Sequence, residues 1–284
     1  MKTKREHTEV VQDRMQVIAQ SNELVRHARN KLTSQEQNIA YFLMSKVKPN
    51  DKDFMRVHFT VHEFCEVCGI ESNGRSWRDI KASLKSLADK SAWGIGVDEH
   101  GKYETLIRWV DTYKIHPNSG RMEAVLSQSI KPFLLNLIGR GKYVQAELVI
   151  YLALKSVYSK RIYELLKSWI YMKPPQCYEN HTVEYSLGEL KELVAAESYK
   201  LYGHFKTRVL DQAMKEINEV SDIQAGYEPM RTEGRAVSHI RFSFSLKQNY
   251  YMARIAASKL LDSGHTEKPD AVHKEQMVLE QFAD

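Results

Sequence analysis

The sequence predicts an α+β fold built from two units of like design, and three observations predict it. Residues 203–247 read as a basic amphipathic helix, a short link, a strand, a polar basic turn and a second strand. A looser version of the same order occupies residues 57–129. A strand running into a helix precedes each, FTVHEFCEVCGI in the first half and EYSLGELKELVA in the second. Helix, turn, basic helix and hairpin in that order make a winged helix-turn-helix. Its second helix enters the major groove of DNA and its hairpin grips a neighbouring backbone. Two such units in one chain point to a binder of DNA sites, not to an enzyme with a single cleft.

Each element has a local reason. Residues 1–20 are polar and read as an arm or short helix, and 17–30 as a strand or extended segment leading into the first helix. Over 32–47, Thr33 and Glu36 make a capping box, and Ile39, Phe42, Leu43 and Val47 fall near one face. Pro49, Asn50 and Asp51 end that helix. MRVHFTV (55–61) alternates as a strand, VHEFCEVCGI continues as a helix, and Gly69 stands where a left-handed cap belongs. The helix over 76–91 carries Ile80, Leu84 and Leu87 inward. Two strands turning at 98–102 and a hairpin through PNSGR (117–121) follow, and 129–137 closes the unit.

Gly139 and Gly141 mark a junction. The second unit is read as opening with a long helix over 143–172, broken near 155–159 and stopped by Pro174 and Pro175. A strand at 181–187, a helix at 186–198 with Ser186 and Glu189 as its box, a link at 199–205 and the basic helix at 203–219 come next. Strands near 222–230 and 236–246 complete the wing. The expected division is an arm (1–30), a first winged domain (31–141), a second (142–249), and a tail (250–284) that starts helical and turns polar and disordered.

The bulk numbers allow this. The 284 residues suffice for two domains, and 43% hydrophobic with 27% charged is ordinary for a folded chain. The net charge of +5 leans toward an anionic partner. No apolar run approaches the roughly 18 residues a membrane span needs. MKTKREHTEVVQDRM lacks an apolar export core, so a cytoplasmic protein is expected. Cys65 and Cys68 form a CxxC, but no second pair completes a metal site, so they read as small core hydrophobes. Three reduced thiols fit the same compartment. Phosphate-binding loops, dinucleotide fingerprints, HExxH and nucleophile elbows are missing from the sequence. No catalytic residue, metal or cofactor is therefore expected.

The candidate DNA contacts follow from where the cations fall. On the 203–219 helix, Phe205, Val209, Leu210, Ala213, Met214 and Ile217 form the inward stripe. His204, Lys206, Thr207 and Arg208 occupy the first turns of the other face, where arginine can pair with guanine O6 and N7. Lys215 is placed to meet a phosphate, while Glu216 and Glu219 should point away from it. Arg231 and Arg235 flank the wing turn. In the first half the equivalent set is Arg75, Arg78, Lys81 and Lys85, with Trp77 a packing residue. That half is open to two readings, DNA contact or a dimerisation module that kept the shape. Lys155, Lys160 and Arg161, with Ser159, cluster at the break in the long helix, either as a phosphate site at a helix start or as a solvated turn.

With these residues in view, the chain resembles the theta-type plasmid replication initiators of the Rep_3 family. The resemblance rests on SNELVRHARNKLTSQEQNIAYFL (21–43), SKRIYELLKSW (159–169), FKTRVLDQAMKEINEVSDI (205–223) and RTEGRAVSHIRFSFSL (231–246). It implies two winged-helix domains in pseudo-twofold arrangement and binding to tandem origin repeats called iterons. Monomers are then expected to bind iterons, and dimers joined through the first domain to repress the protein's own promoter. Specificity is expected mainly from Lys206, Thr207 and Arg208, with Arg231 and Arg235 on phosphate or minor groove. A host initiator ATPase and the replicative helicase are the implied partners, and catalysis is not implied. The tail after Leu246 is longer than the family core requires. Two other readings stay open: a winged-helix transcriptional repressor with no replication role, and a nicking enzyme.

Overall fold

The computed structural model describes residues 7–48, 51–98, 100–137, 142–170, 175–231 and 236–263. The described residues open with α1 (His7–Arg14), β1 (Val17–Ser21) and α2 (Asn22–His27). Next come α3 (Ser34–Met44), β2 (Val57–Thr60), α4 (Val61–Cys68) and α5 (Gly74–Asp89). Two hairpins follow, β3 (Ser91–Asp98) with β4 (Gly101–Arg108), then β5 (Val110–His116) with β6 (Arg121–Leu126). The short α6 (Lys131–Leu134), β7 (Tyr143–Glu147), α7 (Leu148–Ala153) and α8 (Val157–Lys167) lead on to β8 (His181–Ser186) and α9 (Leu187–Leu193). The last group is α10 (Tyr202–Phe205), a π-helical turn over Lys206–Asp211, α11 (Gln212–Val220), β9 (Ile223–Met230), β10 (His239–Leu246) and α12 (Tyr250–Asp262).

The two halves repeat one topology. The first sheet has strand order β2-β6-β5 and the second β8-β10-β9, with antiparallel pairing throughout. In both, the first strand bends directly into a helix at a hydroxyl cap. Thr60 Oγ1 accepts from the Glu63 N–H at 3.0 Å, and Ser186 Oγ from the Glu189 N–H at 3.2 Å. The residue before each cap, Phe59 or Tyr185, is buried and anchors the bend. The β3–β4 hairpin is an insertion in the first half, lodged between α5 and the wing strands, with no counterpart between α11 and β9. It is tied back by a bridge between Trp93 and Arg29.

Several expected elements stand where the sequence put them. Thr33 and Glu36 close their capping box at 3.3 and 2.7 Å. Gly69 ends α4 at φ 67°, and the Ile70 N–H donates back to the Cys65 carbonyl at 2.9 Å. Cys65 and Cys68 are core residues, and burial pushes the Cys65 thiol up to about 11 and Cys68 higher still. The first five residues of the expected 143–172 helix are different. Residues 143–147 form β7, which pairs antiparallel with β1 from Val17↔Glu147 to Ser21↔Tyr143. Helix starts only at Leu148, and it breaks at 154–156, overlapping the start of the expected 155–159 break, whose last three residues are helical. The Gly139–Gly141 junction lies outside the described residues.

Between the halves stands α8, one of the most thoroughly buried helices. Tyr163, Leu165 and Leu166 leave almost no surface exposed. Glu164 Oε1 accepts from Gln20 Nε2 at 2.6 Å and from the Tyr41 hydroxyl at 3.0 Å. Its Oε2 accepts from Arg161 Nη1 at 2.8 Å. Helix α12 returns from the second half to the first. Ala253, Ala257 and Leu261 make a narrow buried stripe, and Leu261 lies directly over Gly69. Arg14 joins α1 to both ends of this arrangement. Its guanidinium donates to the Glu66 and Val67 carbonyls, each at 2.8 Å, and pairs with Asp262 at 2.6 Å.

The Glu36 box also makes an acid-labile contact. Burial works against the Glu36 charge, but the Lys90 ammonium at 2.8 Å, the Ser86 hydroxyl and the Thr33 N–H outweigh it and hold its pKa below the usual value. A carboxyl depressed on folding contributes stability above its unfolded pKa, near 4.3, and loses it as pH falls through the folded value. Glu36→Gln is therefore expected to flatten stability against pH below about 4.3, read by urea midpoints at stepped pH. A curve parallel to wild type would show the contact carries no pH dependence.

Candidate nucleic-acid interface

The second-domain helix runs from Tyr202 to Val220. Phe205, Val209, Leu210, Ala213, Met214 and Ile217 are all buried, as the periodicity requires. Phe205 and Leu210 are five residues apart, which is about 140° out of phase in a regular α-helix. The π turn over 206–211 adds the residue that brings both inward. It thereby re-aims the first turn relative to the rest, and such turns recur at functional sites. His204, Lys206, Thr207, Arg208, Gln212 and Lys215 are left exposed. Arg231 is exposed at the end of β9, next to the wing turn, and Arg235 lies outside the described residues.

In the first domain α5 starts on an Asn73 cap, whose Oδ1 accepts from the Arg75 and Ser76 N–H groups at 2.9 and 3.0 Å. Ile80, Leu84 and Leu87 are fully buried, and Trp77 packs against the core. Arg75, Arg78 and Lys85 are exposed and Lys81 is half-buried, so all four line the solvent side of the helix. Arg75 reaches Asp79 at 3.6 Å.

The cluster at the break before α8 is a correction. Lys160 is 1% exposed, and its ammonium donates to Asn38 Oδ1 at 2.6 Å and Ser34 Oγ at 2.9 Å. Arg161 is 7% exposed and is consumed by Glu164 and by the Val25, Ala28 and Leu193 carbonyls. A DNA phosphate reaches neither. The helix start itself already holds an anion, the protein's own. Glu216 Oε2 accepts from the Lys155 and Ser156 N–H groups at 2.9 and 3.1 Å. The same contact explains why Glu216 turns away from the exposed face of its helix. The Lys155 side chain is half-buried at this start.

Two groups escaped the sequence reading. On the outer face of the first sheet, Glu123 is ringed by Arg56, His116, His58 and Lys114 at 3.2, 3.5, 3.7 and 3.9 Å. Strand alternation in MRVHFTV and TYKIH contains that signal, since residues two apart share a face. The other is Asp211, at the seam between the helix and β9. The Tyr227 hydroxyl donates to its Oδ1 at 2.6 Å and Lys206 Nζ to its Oδ2 at 2.8 Å. Nothing in the sequence couples positions 211 and 227 in advance of the fold.

With this geometry in place, the comparisons can be read. The family model described as initiator replication protein, WH1, matches residues 17–167, and that described as initiator Rep protein, WH2, matches 186–244. The chain belongs to the Rep3 initiator replication protein family. The WH1 match runs through α8, and the WH2 match spans α9 to β10. Among solved structures, the Pi initiator protein in complex with iteron DNA is 20% identical at a TM-score of 0.66, covering 83% of this chain and 99% of that one. The two therefore share a fold. Domains 2 and 3 of RctB are 11% identical at a TM-score of 0.43, over 75% of this chain and 81% of that one. The WH1 domain of the replication protein MSBI1.176 is 15% identical at 0.30, over 36% and 79%. No curated protein matches the sequence. Among the described residues no helix is long and apolar enough to cross a membrane, and no group of His, Cys, Asp and Glu is placed to hold a metal.

Proposed function

We propose that this Rep3-family initiator binds repeated sequences in a plasmid origin through its second winged helix, with the first domain as a second DNA contact. The observation that carries this is the exposed cationic start of the 202–220 helix beside a two-stranded wing. His204, Lys206, Thr207 and Arg208 have no packing role there, and their neighbours on the same helix supply the core. The Pi initiator, whose fold this chain shares, was solved on iteron DNA, which supports the same ligand class. The protein acts without catalysis, by gripping DNA and recruiting the host ATPase and helicase. Dimers formed through the first domain repress its promoter.

Footprinting on DNA flanking the gene tests this. Protection recurring about every two helical turns over direct repeats is expected. A single protected palindrome would leave only a repressor, and absence of protection would remove the DNA reading. Arg208→Ala should weaken specific binding by roughly 1–3 kcal/mol and relax one base preference. Titration against single-base variants of the site checks it, since equal loss on every sequence would make Arg208 a phosphate contact only.

A further inference from the structure

The helix–wing seam holds one carboxylate among its cations. Asp211 closes the π turn, and it is gripped from two elements: by Tyr227 on β9 at 2.6 Å, and by Lys206 on its own helix at 2.8 Å to Oδ2 and 3.2 Å to Oδ1. Its side chain is 42% exposed, so it is not serving the core. The other half-buried acid of this helix, Glu216, is drawn off to the start of α8. Asp211 is left toward the solvent side, where a phosphate backbone would repel it. A carboxylate kept on a helix that enters the major groove has one favourable use there, accepting a hydrogen bond from a base amino group.

We propose that Asp211 is a base-selecting residue of this helix, its Oδ2 accepting from the exocyclic amino group of cytosine while Tyr227 holds Oδ1. The inference rests on the DNA reading above. Lys206 neutralises the carboxylate in the free protein and passes to a phosphate when DNA binds. The pair is exposed and solvent-screened, so the transfer costs little. The tether to Tyr227 survives it and fixes the carboxylate's orientation, which is what selection of one base requires.

The test is selection of sites from a randomised duplex library by the full-length protein, its Asp211→Asn, Tyr227→Phe and Lys206→Ala variants, each first checked for a cooperative melt. Wild type is expected to fix cytosine at one position. Asp211→Asn should move that position toward adenine, which asparagine pairs through N6 and N7, with the rest of the motif unchanged. Tyr227→Phe keeps the charge and should broaden the same position by roughly fivefold or more, and it serves alone if Asp211→Asn does not fold. Lys206→Ala should weaken all sequences alike and lower the salt slope by about one. An unchanged motif in both Asp211→Asn and Tyr227→Phe, with affinity shifted uniformly, would overturn the proposal and leave Asp211 a mere holder of Lys206. A wild-type protein that selects no motif would overturn the DNA reading and this inference together.

Discussion

Arg161→Ala is expected to lower the unfolding free energy by about 3–5 kcal/mol, because it leaves a buried carboxylate without its cation. Glu164 would keep only the Gln20 amide and the Tyr41 hydroxyl, both neutral. Three carbonyls on α2, on the residue after it and on α9 would lose their donor at the same time. Urea denaturation measures the loss. The same variant discriminates between two roles for this residue. A phosphate contact would leave the urea midpoint at its wild-type value and weaken DNA binding instead, whereas a structural pair lowers the midpoint and spares the affinity of the folded fraction.

Gly69→Ala is the second large effect, expected at about 2–5 kcal/mol. Two costs add. The residue sits at φ 67°, where a side chain is penalised, and a Cβ would run into the Leu261 backbone. The second cost falls on α12, which must move away and take the Asp262 carboxylate from Arg14. Hydrogen exchange should therefore accelerate across 250–262 as well as around 69. Gly69→Asn separates the two costs, since asparagine tolerates the left-handed backbone but keeps the clash. Fast exchange in α12 for alanine but not for asparagine would show that backbone strain, not contact, loosens the helix.

The sequence made most of the fold readable where the signal is local. Thr33 with Glu36, Ser186 with Glu189, and Gly69 each act within a few residues, so capping chemistry located three helix boundaries. The 205–217 stripe located the basic helix despite the extra residue in its π turn. What escaped reading depends on distant partners. Strand β7 follows the alternation of YVQAE, but LVIYLAL runs on from it and its partner β1 lies some 126 residues earlier. Lys160 and Arg161 looked like surface cations because such residues are seldom fully buried without a partner. Their partners, Ser34, Asn38, Val25, Ala28 and Leu193, come together only after folding. The same holds for the anion site at the start of α8, where the cations were legible but the occupant, Glu216, was not.

The Arg14–Asp262 pair spans 248 residues, and that separation sets a clock. At a synthesis rate of roughly 5–20 residues per second, Arg14 emerges about 10–50 s before its partner exists. The α1 segment must wait out that interval on the Glu66 and Val67 carbonyls and the Asp13–Lys46 pair, with the glycine notch at 69 still open to water. The first domain of a nascent chain is therefore a looser object than the finished one. Only a ribosome that has translated through residue 262 carries a chain whose α1 and α12 are fastened together.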